Sequence, residues 1–319
     1  MASHSGKKVV LAALAANAGI ACVKLVVAAL SGSATMLAEA VHSVADTANQ
    51  ALLLVGMTLA ARKDVQRYPL GRESERYFWA FVVSLTIFML GGVFAIFEGV
   101  HKLRSAEAGA SPSVLWPLVV LGVSLVLEGG SFTVAMREFN RDRRGRPFFE
   151  ALFSGKDPTI PVVLLEDTAA VIGLLTAFSA LVLSFLTGSS LPDTIGSIVI
   201  GVLLCSVGFA LAYDTHGLLI GEGARPELRA QAKAIAEATP GVEAVTQLLS
   251  LHLGPDSILV ALKVRFRPEV TLPELEATID VMEERIRSAI PAMKRIFIEP
   301  DSDYVEALDP ERRPITTSR

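Results

Sequence analysis

The sequence predicts a polytopic α-helical membrane protein, with six transmembrane helices followed by a C-terminal cytoplasmic α+β domain of ferredoxin-like type. Three observations carry that prediction. The 319 residues are 51% hydrophobic and only 19% charged, whereas an ordinary globular chain is about 25% charged, and the mean hydropathy is +0.49. The apolar residues are concentrated between about residues 9 and 213, in runs that meet the roughly 20 residues a helix needs to cross a bilayer. From about residue 222 the chain turns polar and alternates helix and strand signals. With a formal charge of only −4, this composition excludes a disordered chain, a basic nucleic-acid-binding domain and a disulfide scaffold. Cys22 and Cys205 both sit inside apolar runs and read as small buried hydrophobes.

The six spans run from Val9 to Leu30, Ala34 to Ala61, Tyr77 to Lys102, Val114 to Met136, Ile160 to Leu186 and Leu191 to Tyr213. Three connections are short and nearly uncharged: Ser31-Gly32-Ser33, the stretch from Ser105 to Pro112, and Thr187-Gly188-Ser189-Ser190. The other two are basic. One holds Arg62, Lys63, Arg67, Arg72 and Arg76; the other holds Arg137, Arg141, Arg143, Arg144, Arg146 and Lys156. Basic loops stay on the cytoplasmic side, so six spans place both termini there, in agreement with Lys7 and Lys8. Lys102 and Arg104 run against this pattern and are expected to snorkel from the end of the third span. The first span has a second reading as a secretory or lipoprotein signal, because Lys7-Lys8 precedes an alanine-rich core and Gly19-Ile20-Ala21-Cys22. Its apolar run continues past Cys22 and Lys24 to Leu30, which favours a span.

The tail is read in order as a helix, two strands, a helix and a strand. Pro226 starts a helix over 225–238, and Thr239-Pro240-Gly241 breaks it. Val242 to Leu253 and Ser257 to Phe266 read as strands around the turn Gly254-Pro255-Asp256. Thr271 introduces an amphipathic helix to Ile290 with Leu275, Ile279, Met282 and Ile286 on one face, and Lys294 to Glu299 closes as a third strand. This order makes a small ferredoxin-like sandwich. The expected boundaries are 1–220 for the membrane domain, 221–305 for the cytoplasmic domain and 306–319 for a polar tail.

Ionisable side chains at membrane depth are costly and point to function. In the second span Glu39, His42, Asp46 and Asn49 are spaced by three, four and three, a single stripe of a helix. A histidine and a carboxylate one turn apart form a two-ligand clamp for a divalent cation; the plainer alternative is a hydrogen-bonded seam between helices. The fifth span holds adjacent carboxylates, Glu166 and Asp167, which need a positive partner. A metal ion between the second and fifth spans would supply it, as would Lys24 or an arginine. Asn17, Glu98 and His101 are further polar groups in the spans, and structural or interfacial roles suit Glu98 and His101. Glu128, four residues after Ser124 and three before Ser131, is open to lining the same cavity or to packing with satisfied hydrogen bonds.

These residues in this order resemble the cation diffusion facilitator family of divalent-metal transporters, over essentially the whole chain. The most specific element is His42-Ser-Val-Ala-Asp46, similar to the family's two-ligand motif, flanked by Leu30-Ser-Gly-Ser-Ala and Tyr68-Pro-Leu-Gly71. Asp167 aligns with the family's fifth-span aspartate. The usual histidine one turn earlier is replaced by Val163, and Glu166 is the substitute on offer. Leu-Leu-Glu166-Asp167-Thr-Ala-Ala and Ile298-Glu-Pro-Asp301 resemble the branch that includes the animal mitochondrial zinc transporter. A His-rich loop common in relatives is here arginine-rich, which suits topology or lipid headgroups.

The resemblance implies a homodimeric secondary transporter, not an enzyme, exporting Zn²⁺ or a similar first-row cation (Mn²⁺, Fe²⁺, Co²⁺ or Ni²⁺) in exchange for protons. No cofactor is implied beyond the transported ion. The expected metal ligands are His42, Asp46, Asp167 and Glu166, with Asn49 and Glu39 in reserve. Membrane lipid is the expected surrounding, nucleic acid is not a partner, and a bacterial inner membrane or an organelle membrane is the expected site. Two other readings are a non-transporting scaffold or metal sensor whose tail binds a partner, and an intramembrane hydrolase using metal-bound water. In the tail the one histidine is His252, and Asp256, Glu299, Asp301 and Asp303 complete the candidates for a regulatory metal. The run from Glu299 to Asp303 reads as a solvated strand exit, and the tail is expected to fold and dimerise without metal.

Overall fold

The computed structural model describes residues 2–31, 34–105, 115–143, 145–153 and 155–301. The connections at 32–33 and 106–112, Arg144, Asp303 and the segment 306–319 lie outside the described residues, as do the side chains of Lys7, Lys8, Glu39 and His42. The chain divides into two compact units, one formed by Met1–Asp64 and Arg72–Leu219, the other by Val65–Gly71 and Ile220–Arg319.

The first unit is all helix. It contains α1 (Ala2–Ser31), α2 (Ala34–Ala60), α3 (Glu75–Thr86), a π-helical segment (Ile87–Val93), α4 (Phe94–Ser105), α5 (Leu115–Asp142), α6 (Phe148–Phe153), α7 (Thr159–Thr187) and α8 (Leu191–Ile220). Because α3, the π segment and α4 are continuous, the described helices form six long rods, one at each expected span. Among the described residues, four stretches are long and apolar enough by length and composition to cross a membrane: Glu75–Arg104, Pro117–Arg141, Thr159–Thr187 and Leu191–Ile220. The helices α1 and α2, with 30 and 27 residues, are about 45 and 40 Å long at 1.5 Å per residue.

Two features of this unit have no counterpart in the hydrophobic pattern. The first is the π segment, where the third rod packs on α8 at backbone distance. A Cβ added to Gly208 would lie 2.8 Å from the backbone nitrogen of Phe88, and one on Gly92 would overlap Cys205. Glycines on both rods make this contact possible, as small residues do at membrane helix interfaces. The Cys205 thiol donates to the Phe88 carbonyl at 3.8 Å. The second is α6, inside the arginine-rich connection. Ala151 and Leu152 are buried, and the Phe148 ring packs edge-on against Phe139 with centroids 5.1 Å apart. Arg143 and Arg146 donate to each other's carbonyl oxygens at 3.2 Å. That connection is therefore in part a packed element, a feature that its arginine-rich composition does not show.

Arg76, one of the basic residues of the first connection, is buried, donating to both oxygens of Asp157 at 2.7 and 2.6 Å and to the Thr159 hydroxyl at 3.0 Å. It ties the start of α3 to the start of α7. Lys102 lies 3.2 Å from Glu98 and 3.9 Å from Asp193, and the His101 ring stacks on Phe97.

The second unit contains α9 (Pro226–Glu237), β1 (Val242–Gly254), β2 (Ser257–Phe266), α10 (Leu272–Ala289) and β3 (Met293–Pro300). The strand order is β1-β2-β3. β1 and β2 are antiparallel, with Leu248 opposite Leu262; β2 and β3 are parallel, with Val260 opposite Ile296. The parallel pair requires the α10 crossover, which completes the expected helix and sheet layers. Ala232, Ala236, Ile258, Val260, Leu262, Met282, Ile286 and Met293 build its core. Thr271 caps α10: its N–H and its hydroxyl both donate to Glu274 Oε2 at 2.8 Å. Those two bonds, the backbone one first, hold the Glu274 carboxyl below its ordinary range. Lys263 sits 3.3 Å from Asp301 and 3.5 Å from Glu299, so the acidic strand exit is ion-paired. His252 is buried, with Nδ1 3.4 Å from the Gly254 carbonyl oxygen.

Candidate functional site

Polar side chains buried in the helical unit converge where α2, α7 and α5 meet. Asp46, Asn49 and Gln50 lie three and four residues apart on α2, which puts them on neighbouring stripes of one helix face. Glu166 and Asp167 are consecutive on α7 and therefore diverge by about 100° around its axis. That divergence sends the two carboxylates to different partners. Glu166 faces α2: Asn49 Nδ2 donates to its Oε1 at 2.9 Å and Gln50 Nε2 donates to its Oε2 at 2.7 Å. Asp167 faces α5, where the Ser131 hydroxyl donates to its Oδ2 at 2.9 Å.

Asp46, Asn49 and Glu166 share a small cavity with Ala45, Thr86, Ile87, Gly91, Ala170 and Leu204. Its volume is about 10 Å³, room for roughly one water-sized sphere. The π segment supplies Ile87 and Gly91 to its wall, so the local departure from α-helix borders the polar groups, as π turns often do. Asp46, Asn49, Gln50, Glu166 and Asp167 are all buried. Val163, one turn before Asp167, packs in the apolar core.

The structure thus brings Asp46, Asn49 and Glu166 together and turns Asp167 toward α5. Among the described residues no group of three or more His, Cys, Asp or Glu side chains is close enough to hold a metal ion. The side chains of His42 and Glu39, which belong to the same stripe of α2, lie outside the described residues.

The expected alternative partners of the fifth-span acids are also resolved. Lys24 on α1 lies 3.9 Å from Glu128 on α5, both buried, so its charge is used on a different carboxylate. Glu166 is met by two neutral amides instead. Gln50 is the site residue that sequence reasoning missed. The available signal was its position four residues after Asp46, on the helix face already singled out. Ser131 was legible only as a polar neighbour of Glu128, three residues on.

Chemically, the cavity wall offers carboxylate oxygens to a cation and amide groups that orient them. Carboxylates and amide oxygens suit hard divalent cations such as Mg²⁺, Ca²⁺ and Mn²⁺, and an added imidazole shifts the set toward Zn²⁺, Fe²⁺ and Ni²⁺. Among the described residues the buried oxygen atoms Asn49 Oδ1 and Gln50 Oε1 have no hydrogen-bond partner, which a fully satisfied structural seam would not leave.

Comparison with known proteins agrees with this architecture. Residues 10–220 match a family model described as the cation efflux transmembrane domain, and residues 224–303 match one described as the cation efflux protein cytoplasmic domain. The chain is 34% identical over 280 residues to the mitochondrial proton-coupled zinc antiporter SLC30A9 of Xenopus laevis, covering 87% of this chain and 49% of that protein. It is 32% identical over 244 residues to metal tolerance protein C4 of Arabidopsis thaliana, covering 76% and 53%. It is 24% identical over 307 residues to magnetosome protein MamB of Magnetospirillum gryphiswaldense, covering 92% and 94%. The chain spans about half the length of the first two relatives and nearly all of the third.

Proposed function

The chain belongs to the cation efflux family, and on that premise we propose that it is a secondary transporter exporting Zn²⁺ or a similar first-row divalent cation in exchange for protons. The observation that carries the reading is the shared cavity: Asp46 on α2 and Glu166 on α7 wall one buried, ion-sized space between bilayer-length helices. Two carboxylates there are expensive unless a cation or protons compensate them. The relatives named as a proton-coupled zinc antiporter and a metal tolerance protein support the same class of cargo.

The ligands in this reading are His42, Asp46, Glu166 and Asp167, with Asn49 and Glu39 as further donors on the same stripe. Asp46 and Glu166 already face the cavity. Asp167 joins when its carboxylate turns from Ser131 toward α2, a side-chain rotation of one residue on α7. Metal needs ionised carboxylates and a neutral imidazole, so loading expels protons and protonation expels metal. Exchange then follows from competition for the same lone pairs, and rocking of helices carries the site between the two faces.

The same reading places both termini on the cytoplasmic side, as the basic connections after the second and fourth spans require. It makes the α+β unit a cytoplasmic dimerisation domain and sets the helical unit in a bacterial inner membrane or an equivalent organelle membrane. The test is flux into proteoliposomes with Zn²⁺, Mn²⁺, Fe²⁺, Co²⁺ and Ni²⁺ offered separately, with and without a pH gradient. Uptake of at least one ion, accelerated by the gradient, is the expected result. Folded protein that moves none of them would leave the scaffold or sensor reading in its place.

A further inference from the structure

We propose that Gln50 is a positioning residue that, with Asn49, fixes the Glu166 carboxylate at the metal cavity and so sets the affinity of the site; the inference rests on the transport reading above. Residue 163, which shares the helix face of Asp167 one turn away, is a valine held in the apolar core. Of the two fifth-span carboxylates, Glu166 is the one that borders the cavity, while Asp167 is held by Ser131. A glutamate has three rotatable side-chain bonds, and ordering it costs entropy. Two amides on consecutive residues of α2 reach it from different sides, one to each oxygen, at 2.9 and 2.7 Å. Two such bonds leave the carboxylate one placement, across the helix interface and beside Asp46.

The clamp does not block the metal. Each carboxylate oxygen accepts at two positions, so each keeps a lone pair after its amide bond. The clamp also leaves an acceptor over on each amide. Asn49 Oδ1 and Gln50 Oε1 are buried with no partner among the described residues, and Asn49 borders the cavity itself. The open acceptor on Asn49, which lines an ion-sized space, is what a cation would satisfy, and simple gluing of α2 to α7 does not account for it. Gln50 is fully buried, so it has no access to solvent for an alternative partner.

The test is a double-mutant cycle in the full-length protein, reading Zn²⁺ affinity by calorimetry in detergent, and KM and Vmax in proteoliposomes. Gln50→Leu keeps the approximate volume and removes the donor. It should weaken Zn²⁺ binding and raise KM by about ten- to hundredfold, the worth of one hydrogen bond to a charged group, with Vmax changed by less than about threefold. In a Glu166→Leu background the same substitution should cost nothing more, because the group it positions is gone. Glu166→Asp, which retains Gln50 but shortens the acid so that it cannot meet both amides, should reproduce the Gln50→Leu loss and guards against a Gln50 variant that fails to fold. Full affinity in Gln50→Leu or in Glu166→Asp, or an equal loss with and without Glu166, would overturn the proposal. Absence of Zn²⁺ binding and of flux in the wild type would instead overturn the transport reading on which it stands.

Discussion

Replacing Gly201 by alanine tests whether the third and sixth rods are held together by backbone contact. The added Cβ would sit 2.6 Å from Ile96 Cγ1, 2.8 Å from the Gly92 carbonyl oxygen and 2.8 Å from the Ile96 nitrogen. Ordinary non-bonded carbon contacts lie at about 3.5–4.0 Å, so the rods must part by about 1 Å, and two of the three neighbours are backbone atoms that cannot swing aside. Overpacking of this kind costs about 1–3 kcal/mol. Gly130→Ala on α5 is the control, since nothing lies within 4 Å of its added methyl. Both substitutions gain the same helix propensity, up to about 1 kcal/mol, so the difference between them isolates the clash. At about 2–4 °C per kcal/mol for a domain of this size, Gly201→Ala should melt about 2–12 °C below Gly130→Ala. The assay is thermal unfolding in detergent followed by intrinsic fluorescence. Equal or higher stability of Gly201→Ala would refute the close packing. Because Gly91 and Leu204 from the two rods border the cavity, flux should fall in Gly201→Ala as well.

Four further outcomes follow from the geometry. Asp46→Asn and Asp167→Asn keep side-chain volume but remove charge needed beside a dication; each should abolish flux almost completely while the protein remains inserted and folded, and unchanged flux in either would remove that residue from the ligand set. Lys24→Met should destabilise the helical unit by about 3–5 kcal/mol by leaving Glu128 buried without its cation, and Lys24→Met combined with Glu128→Gln should recover most of that loss in the same melting assay. In the α+β unit, the Glu274 carboxyl is held below its ordinary range by Thr271, so its contribution is complete above the unfolded-state value and disappears as pH falls through the lower folded-state value. The melting-temperature gap between wild type and Glu274→Gln should therefore close on acidification; a constant gap would assign the effect to packing. Finally, residues 225–303 should stay folded and dimeric in excess chelator, since the core is aliphatic and Lys263 already occupies the space between Glu299 and Asp301; chelator-induced unfolding, seen by circular dichroism, would reveal a structural metal.

The sequence by itself determined the six rods, the order of helices and strands in the second unit, and the acidic and amide-bearing stripes on α2 and α7. These are local properties. Bilayer-length apolar runs, the α10 capping residues and the 3.6-residue period act within one element, and Thr271, Met282 and Ile286 could be assigned from their neighbours in the chain. What only the tertiary structure decided is how each stripe is rotated against the others. The pattern Glu166-Asp167 says that two carboxylates diverge by about 100°; it does not say that the first turns to α2 and the second to Ser131. Gln50 was invisible as a partner because it meets Glu166 from 116 residues away, and Lys24 found Glu128 rather than the fifth-span acids. Arg76 had the composition of a topological charge, and packing of α3 against the start of α7 made it a buried staple. The π segment likewise arises where Gly92, Gly201 and Gly208 let two backbones touch. Periodicity orders side chains around one axis, whereas the angle between axes is set by the packing of all the helices at once, and that is the level at which the cavity exists.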